Sequence, residues 1–310
     1  MHYRKLGNTD ITVSEIGFGA WAIGGRADAG GTPLGWGRTN DEESLAAIRR
    51  ARELGVTFFD TSDSYGFGRS ESLLGIVLSR RREEVVIATK VGVSRDSDGK
   101  LTKDFSPAHI SHAVDGSLKR LRSDYIDLYQ LHNPSLDDLR RDDIHEVLDR
   151  LQSVGKIRYW GYTLQVLYNV LNQAPAKDLF PLAKQHGYGI IARVPLASGL
   201  LSGKFRTDTT FATDDIRQNF LTAKRLEEAI PRVDEAKSII GGTARSLAEG
   251  ALRFVLASDA VSTTIPGART VRQVEMNVAA DEVRIPQEVV DKLHARLGDY
   301  NFYQKHGIRI

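Results

Sequence analysis

Val85-Val86-Ile87-Ala88-Thr89-Lys90 is an apolar run that ends on a lysine, and Tyr125-Ile126-Asp127-Leu128-Tyr129-Gln130-Leu131 is a second such run that ends on His132. Between them, Ser106-Pro107 places proline at a first helical position, and Ile110, Ala113, Val114, Leu118 and Leu121 recur at helical spacing. Strand, helix and strand in that order make a βα unit on a parallel sheet.

The same alternation extends both ways. Strands are predicted at Val56 to Asp60, Ile157 to Gly161, Gly189 to Val194 and Val261 to Ile265, and Thr39 with Glu42 reads as a capping box for an early helix. Met1 to Ile16 alternates polar and apolar residues around Gly7 and Asn8, a hairpin that closes one end of a barrel. At 310 residues the chain fits one domain, 1–310, with the architecture of a (β/α)8 TIM barrel. One interval breaks the pattern: Gln165 to Tyr168 also reads as a strand, immediately after the Ile157 to Gly161 strand. Parallel neighbours need a crossover of a dozen or more residues, so a βα connection is lacking around Thr163-Leu164, or one strand reading is wrong.

Composition narrows the function. Forty-two basic and 40 acidic residues leave a formal charge of +2, scattered along the chain, which disfavours nucleic acid and anionic membrane as partners. Cysteine is absent, which excludes disulfides, thiolate nucleophiles and cysteine zinc sites. No metal-ligand cluster stands out. The first ten residues lack a signal-peptide core and no window has the length of a membrane helix, so a cytoplasmic location is expected.

Asp60, Lys90 and His132 each end a strand, where barrel enzymes gather catalytic groups. Singly they read as a helix cap, a solvated lysine and a structural histidine. With Tyr65, in the loop after Asp60, they form a mechanism: the phenol donates a proton, Lys90 lowers its pKa, Asp60 holds Lys90, and His132 orients a carbonyl oxygen. Such a set suits hydride transfer from a cofactor.

Ile265-Pro266-Gly267-Ala268-Arg269 leads into Thr270 and Gln273, a capped helix start suited to a phosphate; an ordinary cap with a surface arginine is the plain alternative. Pro195, Leu196, Ser198, Gly199 and Lys204 lie in a stretch read as a cofactor clasp, too short between Gly199 and Gly203 for a Walker loop. Gly17, Gly19 and Ala22 match a dinucleotide pattern only weakly, because a hairpin precedes them.

Tyr3 to Gly7, Gly17-Phe18-Gly19-Ala20-Trp21, Phe59 to Gly66, Ala88-Thr89-Lys90, Asp127 to His132 and Pro195 to Leu201 together resemble the aldo-keto reductase family over almost the full chain. The resemblance implies carbonyl reduction with Tyr65 as general acid, Lys90 and Asp60 as its tuning pair and His132 orienting substrate. It also implies cofactor contacts from Gly19, Ala20, Trp21, Gln165 and Gly267, with Arg269, Gln273 and Asn277 at the adenosine end. Arg269 favours NADP(H) without excluding NAD(H). Two departures stand out. The family's Ser-Asn pair and helix ahead of Gln165 are absent, and Arg193 stands where many relatives carry an aromatic residue against nicotinamide. A lost βα unit, an unrepresented stretch of chain and a rearranged barrel all fit the first. The leading expectation is reduction of aldehydes or ketones by NADPH, in a pocket lined by Trp21, Trp36, Tyr300, Phe302 and Tyr303. The alternatives are a cofactor-binding or regulatory barrel with little turnover, and a hydrolase or isomerase using Asp60 and His132.

Overall fold

The computed structural model describes residues 1–96, 98–161 and 163–308. Its wall consists of β1 (Phe18–Gly19), β2 (Phe58–Asp60), β3 (Val86–Val91), β4 (Ile126–Leu131), β5 (Ile157–Trp160), β6 (Thr163–Leu167), β7 (Gly189–Arg193) and β8 (Val261–Thr264). Strands β1 to β5 pair in sequence order, as do β6 to β8, always in parallel. Parallel bridges from Ile16 to Thr264 and from Gly19 to Gly267 join β8 back to β1. Helices flank this wall as in a (β/α)8 TIM barrel, except that among the described residues none lies between β5 and β6.

Local chemistry accounts for the helix starts. Ser106 caps the Pro107–Leu121 helix by accepting from the His109 N–H at 3.3 Å. Thr39 does not start the first helix: Asn40 caps Asp41–Glu53 through the Glu43 N–H at 3.1 Å, and the Thr39 hydroxyl instead accepts from Arg69 at 2.6 Å. Asparagine is the stronger cap of the two.

Strand periodicity sorts the interior into layers. Phe58, Ala88, Leu128 and Ile191 pack inside the barrel with Leu6, Ile11 and Val13 of the hairpin that pairs Tyr3–Lys5 with Thr12–Ser14. Phe59, Ile87 and Tyr129 face the helix layer. Two residues beyond each inward apolar side chain, the same faces carry Asp60, Lys90, Gln130 and Arg193. The closed end is therefore apolar and the open end polar.

Ion pairs to the buried Glu15 carboxylate tether the plugging hairpin. Glu15 accepts from Arg4 at 2.7 Å and from Arg284 through both its oxygens. Arg4 also reaches the carbonyls of Leu256, Ser258 and Val261 at 2.7 to 2.8 Å. Burial pushes the Glu15 carboxyl up, but Arg284 and Arg4 outweigh it and hold the pKa at about 2. Among the described residues, Glu15, His2 and Asp281 bring potential metal-ligand atoms within 4.8 Å of one another; the two guanidinium groups already neutralise Glu15 there.

The interval that conflicts in the sequence is resolved at β5 and β6. Both strand readings hold, yet the two strands do not pair with each other among the described residues: β5 pairs with β4 and β6 with β7. Both run parallel to those neighbours and only residues 161 and 162 separate them, far too few for a crossover. Strand β6 thus continues in the direction of β5, and Thr163 lies near the top of β4, accepting from Gln130 at 3.4 Å. Gly161, just past the end of β5, has φ +71°; β5 closes on β4 and β6 on β7. All five residues of β6 are only half-buried, whereas five of the six in β3 are buried.

This seam should open first. Hydrogen exchange is expected to be faster for amides of 163–167 than for those of 86–91, and equal protection would contradict a locally weak wall. Glu15→Gln should cost about 2 kcal/mol at neutral pH in a denaturant titration, because the charge-assisted hydrogen bonds weaken while both arginines keep access to water. The folded-state pKa of Glu15 is depressed, so its contribution is present above the ordinary carboxylate pKa and disappears as pH falls through about 2; the difference between variant and wild type should shrink along that path.

Candidate active site

Asp60 closes β2, Lys90 lies near the end of β3, His132 follows β4, and Tyr65 sits in the loop before the Arg69–Leu78 helix. The buried Lys90 ammonium donates to Asp60 Oδ1 at 2.8 Å, to the Thr61 carbonyl at 2.7 Å and to the Tyr65 hydroxyl at 3.3 Å. All three of its donors are satisfied. Asp60 Oδ2 accepts from Gln165 Nε2 at 2.7 Å, so both carboxylate oxygens are engaged as well.

Burial acts on every group here. It works against the Lys90 charge, but Asp60 and Tyr65 more than compensate and hold the ammonium above its ordinary pKa. Burial pushes the Asp60 carboxyl up while Lys90 and Gln165 pull it down. The expected lowering of the Tyr65 pKa by Lys90 is present but outweighed: burial carries the phenol above its ordinary value. The imidazole of His132 is driven down to about 3 by burial and by the cations Lys90, Arg193 and Lys103. Neutral phenol and neutral imidazole therefore face the mouth at neutral pH.

His132 Nδ1 lies 3.2 Å from Ser62 Oγ and 3.3 Å from Ser64 Oγ. Its ring meets Tyr65 edge-on at 5.9 Å, and Trp21 stacks on the other aromatic neighbourhood of Tyr65 at 5.8 Å while meeting Trp36 at 5.0 Å. Phe302, by contrast, is fully buried in the helix-layer core, and Tyr300 lies beside Arg232 and Lys305. Those two do not line the mouth, because the C-terminal segment packs back onto the helices. Tyr303 is buried too, with its hydroxyl 2.8 Å from Ser198 Oγ.

The remaining candidates fall around the rim. A side chain at Gly19 would put Cβ 2.5 Å from the Ile265 carbonyl, so the β1–β8 contact beside Gly267 requires glycine there. Ala20 and Trp21 follow in a short 3-10 turn. Arg193 ends β7 and is felt electrostatically by Tyr65, Asp60 and His132. Pro195 and Leu196 lead into the 197–202 turn, where Ser198 and Gly199 both adopt positive φ; Lys204, beyond it, is exposed. Thr270 caps the Val271–Val278 helix, which contains buried Asn277, and Gln273 reaches back to the Arg269 N–H at 2.7 Å.

Arg217 is a rim residue with no signal in the sequence. It stands over the rings of Trp36, Phe205 and Phe211, pairs with Asp215 at 2.5 Å, and lies close enough to act on Arg269. Burial first, and Arg217 second, lower the Arg269 pKa. Two guanidinium groups beside a capped helix start form a donor set that fits an anionic phosphate.

Residues 15–297 match the Aldo/keto reductase family. An uncharacterized oxidoreductase of Bacillus subtilis is 30% identical over 327 residues, covering 99% of each chain. Among solved structures, the holo form of an aldo-keto reductase from Bacillus halodurans superposes with a TM-score of 0.80 at 30% identity, covering 99% of each chain. A glycerol dehydrogenase from Gluconobacter oxydans gives a TM-score of 0.81 at 28% identity, covering 99% of this chain and 97% of the other. Among the described residues no helix is long and apolar enough to cross a membrane.

Proposed function

Because the chain belongs to the aldo/keto reductase family, we propose that it reduces aldehydes or ketones to alcohols with NADPH, Tyr65 giving the proton. The observation that carries this reading is the Tyr65 hydroxyl 3.3 Å from a fully bonded, buried Lys90 ammonium. A nicotinamide cofactor, when bound, supplies the hydride.

The chain's own groups do the rest. Tyr65, a neutral phenol, holds a proton at the barrel mouth; as charge develops on a substrate oxygen, the adjacent ammonium stabilises the phenolate left behind. Asp60 keeps Lys90 charged and in place, and Gln165 keeps Asp60 oriented. Neutral His132 orients the carbonyl oxygen. Trp21 and Trp36 offer an apolar wall for the substrate. Arg269, with Arg217 near it, would hold the anionic adenosine end, and Gln273 braces the Arg269 backbone; these cations favour NADP(H), with NAD(H) as the weaker ligand.

A second reading has specific support. The Gln165 amide is engaged by Asp60, Arg193 brings charge toward Tyr65, and the wall beside Gln165 is half-buried. Those features suit a barrel that binds cofactor but turns over slowly.

Fluorescence titration with NADPH, followed by NADPH oxidation against a panel of aldehydes, separates the two. Saturable binding with turnover is expected, and Tyr65→Phe should lower kcat by about 100-fold or more with little change in NADPH affinity. Binding without turnover would favour the second reading, and no binding would overturn both. Arg269→Ala should weaken NADPH binding by about tenfold while leaving NADH binding nearly unchanged. Equal losses for the two cofactors would remove Arg269 from the phosphate site.

A further inference from the structure

Behind His132 lies a chain of polar groups that the reading above does not use. Ser62 is fully buried and its Oγ stands at four contacts: 3.2 Å from His132 Nδ1, 2.9 Å from Ser64 Oγ, 3.2 Å from Asp63 Oδ1, and 3.2 Å from the Ser64 N–H, which donates to it; Ser64 Oγ itself lies 3.3 Å from Nδ1. A hydroxyl has one proton and serves one acceptor at a time. A neutral imidazole likewise carries one N–H, and the partner at Nδ1 decides which nitrogen holds it.

We propose that Ser62 and Asp63 set the tautomer of His132, so that protonation of Asp63 selects whether His132 offers a donor or an acceptor to the substrate oxygen. With Asp63 ionised, its carboxylate only accepts and takes the Ser62 proton; Nδ1 then keeps its hydrogen, donates to Ser62 Oγ, and leaves Nε2 bare. With Asp63 protonated, its O–H donates to Ser62 Oγ, the Ser62 proton turns to Nδ1, and the imidazole proton moves to Nε2 through solvent. One proton enters, at Asp63, and the others only change place. The first state accepts from an alcohol, and the second donates to a carbonyl. The kinetic consequence rests on the role of His132 proposed above; the tautomer switch itself does not.

The surroundings put the switch in a useful range. Burial, and then Glu71 of the Arg69–Leu78 helix, raise the Asp63 pKa to about 7, against the Ser62 hydrogen bond and Arg120 of the Pro107–Leu121 helix. Glu71 is itself held by Thr89 and Arg120, each at 2.6 Å. From β4, the buried Tyr129 hydroxyl feels Asp63 and has no hydrogen-bond partner among the described residues, while the Lys90 ammonium on β3 is turned to Asp60. His132 stays neutral across this range.

Nitrogen NMR of histidine-labelled protein without substrate, titrated from about pH 5 to 9, reads the tautomer directly. His132 is expected to pass from Nε2–H to Nδ1–H with a midpoint near 7. Asp63→Asn, whose amide donates to Ser62 as the protonated acid does, should hold Nε2–H throughout, and Ser62→Ala should uncouple the ring from pH. A pH-independent His132 in the wild type, or Asp63→Asn titrating as the wild type does, overturns the proposal. Where turnover is present, kcat/KM for carbonyl reduction should fall about tenfold per pH unit above the midpoint in the wild type, and this break should be absent in Asp63→Asn. Absence of turnover would remove the proposed function and leave the NMR result to decide the switch.

Discussion

A buried ammonium organises this molecule. Taking the Lys90 charge out of water costs several kcal/mol unless every donor is met, and the protein meets them with a carboxylate, a backbone carbonyl and a phenol. Each partner comes from the chain leading out of β2, so β2 and β3 must hold their register for the charge to survive. Asp60 lies opposite Ala88 in that pairing, and the next inward position, two residues on, brings Lys90 beside it. Stability and chemistry thus depend on the same contact, because the ion pair that the fold must satisfy is also the one that addresses Tyr65.

The layers below make that contact possible. Phe58, Ala88, Leu128 and Ile191, closed from beneath by Leu6, Ile11 and Val13, exclude water from the barrel floor, which makes the local field at Lys90 strong. The hairpin keeps its place through Glu15, whose two arginines reach into distant segments of the chain. Opposite the Asp60–Lys90 pair, the wall is only half-buried. Running β6 in the direction of β5 spares the chain a crossover but leaves β6 half-buried, and Gln165 on that strand still delivers its amide to Asp60. The core constraint therefore extends across the seam instead of stopping at it.

Most of the fold was legible along the chain. The βα alternation, the hairpin, the Ser106 and Thr270 helix caps and the strand-end positions of Asp60, Lys90 and His132 are local patterns, and local patterns follow from periodicity and capping chemistry. The conflict at Thr163-Leu164 was legible too, since crossover length is a property of the sequence. Its solution was not: whether two short strands lie side by side or end to end depends on which neighbours each one pairs with, and those pairings join residues far apart in the chain.

The site divides in the same way. Sequence alone determined which ionisable residues stand at the strand ends and that Tyr65 follows Asp60 closely enough to join them. Only the tertiary structure decided the direction of the Tyr65 pKa, because burial competes there with Lys90 and neither depends on spacing. It also brought Arg217 next to Arg269, withdrew Tyr300 and Phe302 from the mouth, and put Ser62 between Asp63 and His132. Residue type and order are written in the chain, whereas desolvation and three-body hydrogen bonding arise only when distant segments close around a shared volume.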